Sequence, residues 1–448
     1  MKHSVARPDD GVHSFFAART KKIMAALMEP HLIEQLSDFL GPQHRENRFT
    51  LATTLWLGIY GAAKAAMDSM SQILDKATAA LEGDTCQPLR RRTLTPSGWS
   101  RAKSRMPLNL LTRLWRHFVE VAQYQAGETA LFHGMRLVAL DKKTIRVPEA
   151  LWLRFGSHEG GRGDGPAQAE LIVPYDVIAR VPLDLVLAKA KTSEAALAGP
   201  VLQRLREPSL VLIDIGFYGI AMFWTILQSG HHFVTRMRTS GRPRLIRKLG
   251  TGDGIYEIEV GGSFRAEEHP GVPRKMTVRI VRAQWKGFRP IRLVTSLLDP
   301  EEYPREDFLH LYHERWHIET FFRELSSDVE FEHWHTRTEH GLYVELLFQM
   351  IYVSLVRGKM AEGAREAAVL PGDLSFTHGR EACMLTWCRM AKSGVRSHEK
   401  LRDELIEHLG TLIIDVRPGR SFERNTQKRR AKSRKRQLQA RRRKRHAA

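Results

Sequence analysis

The chain has 448 residues, long enough for two or three domains with cores of their own, and its 42% hydrophobic content is ordinary for a globular protein. Three cysteines, Cys86, Cys383 and Cys388, make no disulfide framework and no C-x-x-C metal knuckle, which argues against a disulfide-stapled secreted scaffold and for a reducing cytoplasm. The formal charge is +20, but 15 Lys/Arg against the single acid Glu423 fall from Arg417 onward, so the tail carries +14 and the body only +6.

The opening MKHSVARPDDGVHSFF lacks the apolar run of a signal peptide. Residues 13 to about 125 have helix-type apolar spacing with few strand formers, and residues 1–125 are expected to form an all-helical domain. The turn-rich, arginine-rich EGDTCQPLRRRTLTPSG interrupts it. Arg90, Arg91, Arg92, Arg101, Lys103 and Arg105 cluster in and after that break and would suit phosphate contacts, although basic residues on a solvated helix face are common.

From 136 the pattern changes. RLVALDKKTIRV, AELIVPYDVIA and VPLDLVLAKA read as strands, SEAALAGPVLQRL as a helix, SLVLID as a strand, GIAMFWTILQ as a helix and HHFVTRMR as a strand. This is an α/β arrangement with a mixed sheet, assigned to residues 126–366. Between about 240 and 298, GIYEIEVGG, KMTVRIVRAQW and FRPIRLVTSLL are strands with no helix among them, a β insertion. Helices return from about 304. LYVELLFQMIYVSLV is too short and, with Glu345 and Gln349, too polar to span a bilayer, so it reads as a buried helix and no membrane contact is expected. Residues 367–416 read as a C-terminal helical region and 417–448 as a basic disordered arm that binds polyanions without sequence preference. The glycine-rich GSHEGGRGDGPA leads into a strand and lacks the Lys-Ser/Thr ending of a phosphate loop.

Three acids stand at informative places. VALD and VLID each end an unbroken apolar run in an aspartate, Asp141 and Asp214, and a carboxylate at the end of a buried strand costs energy unless it is hydrogen-bonded or coordinates a metal. Two such strands side by side would put both within reach of one hard cation, whereas either alone could simply cap a turn. The third acid lies in YHERWHIETFFREL, which has two readings. From His313 it is H-E-x-x-H, a zinc-protease pattern with His313 and His317 as ligands and Glu314 as base. From Tyr312 it is Y-x-x-R-x-x-x-E, ending at Glu319. At roughly 100° per residue, Tyr312, Arg315, Glu319 and Ser326 flank an apolar stripe of Leu311, Ile318, Phe322, Leu325 and Val329, while the two histidines fall on another face.

With these flanks, nearly the whole chain resembles a DDE transposase of bacterial insertion sequences, in the Y-R-E-K signature branch (insertion sequence family four). VALDKKTIRVP resembles the family's first-aspartate strand, LIDIGFYG its second, and YHERWHIETFFREL followed by HTRTEHGLYVELL its signature helix. The resemblance implies an RNase H-like catalytic core with a β-strand insertion, preceded by an all-helical N-terminal domain. It implies Asp141, Asp214 and Glu319 as catalytic ligands of two Mg²⁺ (or Mn²⁺) ions, with Tyr312 and Arg315 as phosphate contacts. The signature lysine falls at Ser326, so that contact is either lost or moved to nearby Arg323. Lys142 and Ile215 replace the small residue and the arginine usual after the two aspartates.

The implied function is cut-and-paste transposition: binding of terminal inverted repeats and target DNA, metal-dependent strand cleavage and strand transfer by a homodimer in a synaptic complex. The implied location is the bacterial cytoplasm, at the nucleoid. Arg101, Lys103 and Arg105 join Tyr312, Arg315 and Arg323 as expected DNA contacts, and Trp285 in the β insertion could stack on an unpaired base or simply pack. The alternatives are a DNA-binding relic that has lost catalysis, to which Ser326 points, and the zinc protease. The latter lacks the third-histidine extension and leaves VALD, VLID and the basic tail unexplained.

Overall fold

The structure, a computed structural model, describes residues 9–28, 32, 35, 36, 49–64, 68–81, 94–127, 131–158, 165–238, 243–261, 271–284 and 290–414. Arg90, Arg91, Arg92, Trp285, the middle of the glycine-rich stretch and the basic tail lie outside the described residues.

The helices bounded by described residues that come first are α1 (Asp9–Leu27), α2 (Leu51–Lys64), α3 (Met70–Leu81), α4 (Pro96–Ser104) and α5 (Leu108–Ala126). Thr95 starts α4 by accepting the Gly98 N–H, with Pro96 in the first turn where its missing N–H costs nothing. In α5, Leu110, Leu111, Leu114, Trp115, Phe118, Val119 and Ala122 recur every three or four residues and are all buried.

Eleven strands among the described residues make one mixed sheet. The principal ones are β1 (Met135–Arg146), β2 (Gln168–Asp176), β3 (Ser209–Ile213), β4 (His232–Arg236), β5 (Arg244–Gly250), β6 (Asp253–Glu259), β7 (Lys275–Ala283) and β8 (Ile291–Thr295). In space they run β2-β1-β3-β4-β8-β7-β6-β5; β1, β3 and β4 are mutually parallel and every other pair is antiparallel. The α/β core and the β insertion read from the sequence thus form one continuous sheet. Strand β5, RLIRKLG, is an addition to the strands expected: it is a largely exposed basic edge, without the apolar alternation that marks a buried strand.

Helices α6 (Glu194–Leu202) and α7 (Ile220–Gln228) cover one face of the sheet, where Leu140, Val211, Ile213 and Phe233 meet Val201, Phe223 and Ile226. The alternate residues of the same strands, Ala139, Leu212 and Val234, face a larger core. That core includes α8 (Arg305–Leu311), α9 (Trp316–Ser327), α10 (Glu339–Glu366), α11 (Phe376–Lys392) and α12 (His398–Thr411), together with α1 to α5.

The 28-residue α10, read from sequence as a buried helix, is buried along nearly its whole length. Its Ser354 accepts the Trp115 indole N–H at 3.1 Å. A Cβ at Gly58 of α2 would meet the Phe348 ring at 2.2 Å, so glycine is what lets those helices close. No described helix is long and apolar enough to cross a membrane.

The β insertion is tied to α8 by Arg279. Its side chain, fully buried, donates to both Asp253 oxygens at 2.9 and 2.6 Å and to the carbonyls of Tyr303 and Asp299 at 2.6 and 3.2 Å.

Candidate active site

The pairing register brings the two aspartates together. Leu140 of β1 stands opposite Ile213 of the parallel β3, so the next residues, Asp141 and Asp214, lie side by side where the apolar run of β3 ends. Strand alternation turns both toward the larger core, the side on which α9 packs. At Asp214 the chain leaves the sheet into a short 3-10 turn, Ile215–Phe217. Gly216 there lacks a side chain that would point between acids: its Cβ would lie 3.5 Å from Glu194 Oε2 and 3.9 Å from Asp214 Oδ2. Glu194, in the first turn of α6, is thus a fourth carboxylate beside the site, reached by a fold contact that the local sequence does not announce.

The third acid, Glu319, projects from the first turn of α9, whose Ile318, Phe321, Phe322 and Leu325 are buried beneath it. Arg315 joins the group. Its Nη2 donates to Glu319 Oε1 at 2.8 Å and lies 3.9 Å from Asp214 Oδ1, while its Nε is buried without a partner. The Asp214 and Glu319 carboxylates are 44% and 39% exposed, so their outer oxygens face solvent. Burial pushes the Asp141 carboxyl from its ordinary 3.8 up to about 6; the Lys142 N–H and the Arg315 charge work against that, and the Glu319 and Asp214 charges add to it. Asp141 therefore feels both other acids.

Three hard oxygen donors, with the side-chain-free space at Gly216 beside them, chemically fit a divalent cation. Among the described residues no three acids, histidines or cysteines are already gathered at coordination distance. The Arg315 guanidinium, not an ion, stands between Asp214 and Glu319.

The segment read as one helix is not one. α8 ends at Leu311, Tyr312–Arg315 form a 3-10 turn, and α9 begins at Trp316. A 3-10 turn advances about 120° per residue against 100°, so the helical face count does not hold through Tyr312. Tyr312 is buried, its ring beneath Arg315 and its hydroxyl donating to Ile213 O at 3.4 Å, just before Asp214. The structure thus places the tyrosine inside, under the strand end, and not on the solvent side of the site.

Arg315 is likewise turned onto carboxylates and not outward. Trp316, not anticipated, is half exposed with the Arg315 guanidinium 5.6 Å from its ring. Arg323 is exposed, its guanidinium donating to Thr320 Oγ1 at 3.5 Å.

Of the N-terminal cluster, Arg101 and Arg105 are exposed. Lys103 is not: it is buried over Trp99 and ion-paired with Glu345 of α10, because a lysine inside the helical core needs a counter-charge.

The histidine reading also fails on geometry. His317 Nε2 meets Glu314 at 2.8 Å and the Arg180 guanidinium at 3.0 Å, and a buried guanidinium at that nitrogen opposes a zinc ion. Behind α9, the buried Arg357 of α10 holds Glu324 at 2.5 Å, fixing the helix that carries Glu319.

The family model described as the transposase DDE domain matches residues 132–355. The Escherichia coli (strain K12) protein named transposase InsG for insertion sequence element IS4 is 26% identical over 413 residues, covering 89% of this chain and 90% of that one. A cryo-EM structure of the piggyBac transposase synaptic complex with hairpin DNA aligns with a TM-score of 0.35 and 10% identity, over 89% of this chain and 86% of that chain.

Proposed function

The chain belongs to the DDE transposases, in the branch of the insertion sequence element IS4, and from that premise we propose that Asp141, Asp214 and Glu319 are its catalytic metal ligands, working on the ends of its own insertion sequence. The family catalyses DNA cleavage and strand transfer and generally uses divalent metal ions. The observation that carries the assignment is the in-register pairing of β1 and β3, which sets Asp141 beside Asp214 on the face where α9 presents Glu319. The order of β2, β1, β3 and β4, antiparallel then parallel, supports an RNase H-like core.

Two Mg²⁺ (or Mn²⁺) ions held by the three carboxylates would activate water, and later the freed 3′-hydroxyl, while stabilising the leaving oxygen. The protein's own part is positioning. The strand ends fix two carboxylates, the buried Tyr312 braces the end of β3, and Arg357 through Glu324 fixes the helix bearing the third. Arg315, on Glu319 and near Asp214, would hold the two carboxylates in place for the cations. The body grips DNA through its exposed basic groups, Arg323 near the site, Arg101 on α4 and Arg105 just past its end, and two copies hold the paired terminal repeats. Residues 1–125 form the DNA-binding domain, 126–366 the catalytic domain, 367–416 a helical region and 417–448 an arm.

The test is incubation of the protein with Mg²⁺ and DNA carrying the flanks of its own gene, beside Glu319→Gln and Glu314→Gln. End cleavage is expected in the wild type and Glu314→Gln and absent in Glu319→Gln. Cleavage that survives Glu319→Gln overturns the assignment; ends bound but never cut by the wild type would make the chain an inert DNA-binding relic.

A further inference from the structure

The sequence DKK after β1's apolar run places two lysines beside the site, and the sheet sends them to opposite faces. Lys142 goes to the α6 side, where its ammonium meets the Thr192 carbonyl at 3.2 Å and the fully buried Glu170 carboxylate at 3.5 Å. Its charge is consumed within the fold. Lys143 shares the face of Asp141. Its ammonium donates to Ser326 Oγ at 2.7 Å and lies 5.8 Å from the centre of the Phe322 ring, both on α9. Ser326 is in turn satisfied by donating to the Phe322 carbonyl at 2.8 Å. Among the described residues no carboxylate pairs with Lys143, although Asp141 precedes it by two residues on the same face of the strand.

The placement is specific. Lys143 lies two residues past Asp141, roughly 7 Å along the strand, and Ser326 lies seven residues past Glu319, roughly 10 Å along the helix. Strand and helix meet at this ammonium on one flank of the carboxylates. A cluster of acids repels a polyanion, so DNA can lie across it only where neighbouring cations receive the phosphates. A lysine serves such a contact as a point charge with rotatable donors.

We propose that Lys143 binds a DNA backbone phosphate next to the scissile one, supplying from strand β1 the positive charge that Ser326, at the signature lysine position, does not supply from α9. This rests on the transposase reading above. It also replaces Arg323 as heir to that contact, since Arg323 is one turn from Glu319 while Lys143 touches position 326 itself.

The experiment measures binding of the full chain to a duplex carrying its gene's flanking ends, and to a scrambled duplex, in EDTA from 50 to 200 mM salt. The proteins are the wild type, Lys143→Gln and the double variant Lys143→Gln/Ser326→Lys. Loss of one phosphate contact lowers the slope of log affinity against log salt by about 0.9 on duplex DNA. That drop is expected for Lys143→Gln on both duplexes, and the double variant is expected to regain the wild-type slope, because the charge returns to the same spot from the other element. An unchanged slope in Lys143→Gln overturns the proposal. So does a drop that Ser326→Lys fails to restore, the result of a merely structural lysine or a damaged fold. A wild type that cuts its ends while Lys143→Gln keeps its slope refutes this assignment alone; a wild type that neither binds nor cuts DNA refutes the transposase reading and this with it.

Discussion

Of the buried arginines that hold carboxylates, Arg279 and Arg315 do so in opposite ways. Arg279, in the β insertion, is completely enclosed: it meets both oxygens of Asp253 and two backbone carbonyls, with its guanidinium carbon 5.4 Å from the centre of the Phe308 ring. Nothing there is left over for a ligand. Arg315 is 5% exposed, yet it makes one hydrogen bond to Glu319, lies 3.9 Å from Asp214 and keeps an unpartnered Nε. The two carboxylates turn their other oxygens to solvent. The same pair of chemical groups is a rivet where all three guanidinium nitrogens have partners, and a site where one is withheld.

The largest effect is expected at the rivet. Arg279→Met leaves Asp253 buried and unpaired, which costs about 3–5 kcal/mol; urea unfolding of the purified variant measures it. Arg279→Met/Asp253→Leu, which removes both charges, should recover most of that loss. A single variant within about 1 kcal/mol of the wild type would mean that the pair does not hold the insertion in place and would erase the contrast with Arg315.

The next effect has the opposite sign and belongs to the open site. The folded pKa of Asp141 is raised from 3.8 to about 6, so the native state binds its proton more tightly than the unfolded chain does. The cost of holding this carboxylate ionised is therefore full above pH 6, shrinks as pH falls through 6, and is gone below about 4. Asp141→Asn should stabilise the metal-free protein by about 2–3 kcal/mol at pH 8 and by almost nothing at pH 4, while end cleavage is lost. Equal stabilisation at both pH values would attribute the gain to packing and not to charge.

How far the sequence disclosed this follows the range of the interactions. VALD and VLID were legible because an unbroken apolar run closed by an acid is a local pattern, and the buried α10 because the apolar-rich LYVELLFQMIYVSLV leaves few alternatives. Strand β5 was not: RLIRKLG is a solvent-facing edge whose strand state depends on pairing with β6, not on its own periodicity. The break at Tyr312–Arg315 was also hidden, since over four residues α-helical and 3-10 spacing cannot be told apart in sequence, and with it went the burial of Tyr312. Lys103 with Glu345 and Lys143 with Ser326 are separated by 242 and 183 residues. No local reading could tell that one lysine of a basic cluster is neutralised inside the core while one of a lysine pair stands ready at the site.

The smallest effect sharpens the comparison most. Arg315→Lys keeps a positive charge beside Asp214 and Glu319 but removes the rigid planar group whose Nη2 reaches both carboxylates. Lysine's ammonium sits one bond nearer its own backbone on a flexible stem, so it is not held at that point between them. If Arg315 positions the acids, cleavage should fall 10–100-fold, in the range seen when a group that orients metal ligands is lost. The Mg²⁺ concentration for half-maximal cleavage should rise with it, while the urea midpoint stays close to that of the wild type because the site was never closed. Arg279→Lys is the matched control: there the fork is wholly used, so the midpoint should drop and the Mg²⁺ dependence of the folded fraction should not move. If Arg315→Lys instead lowers the midpoint and leaves the Mg²⁺ curve in place, both arginines are rivets. The openness at Arg315 would then be no sign of function.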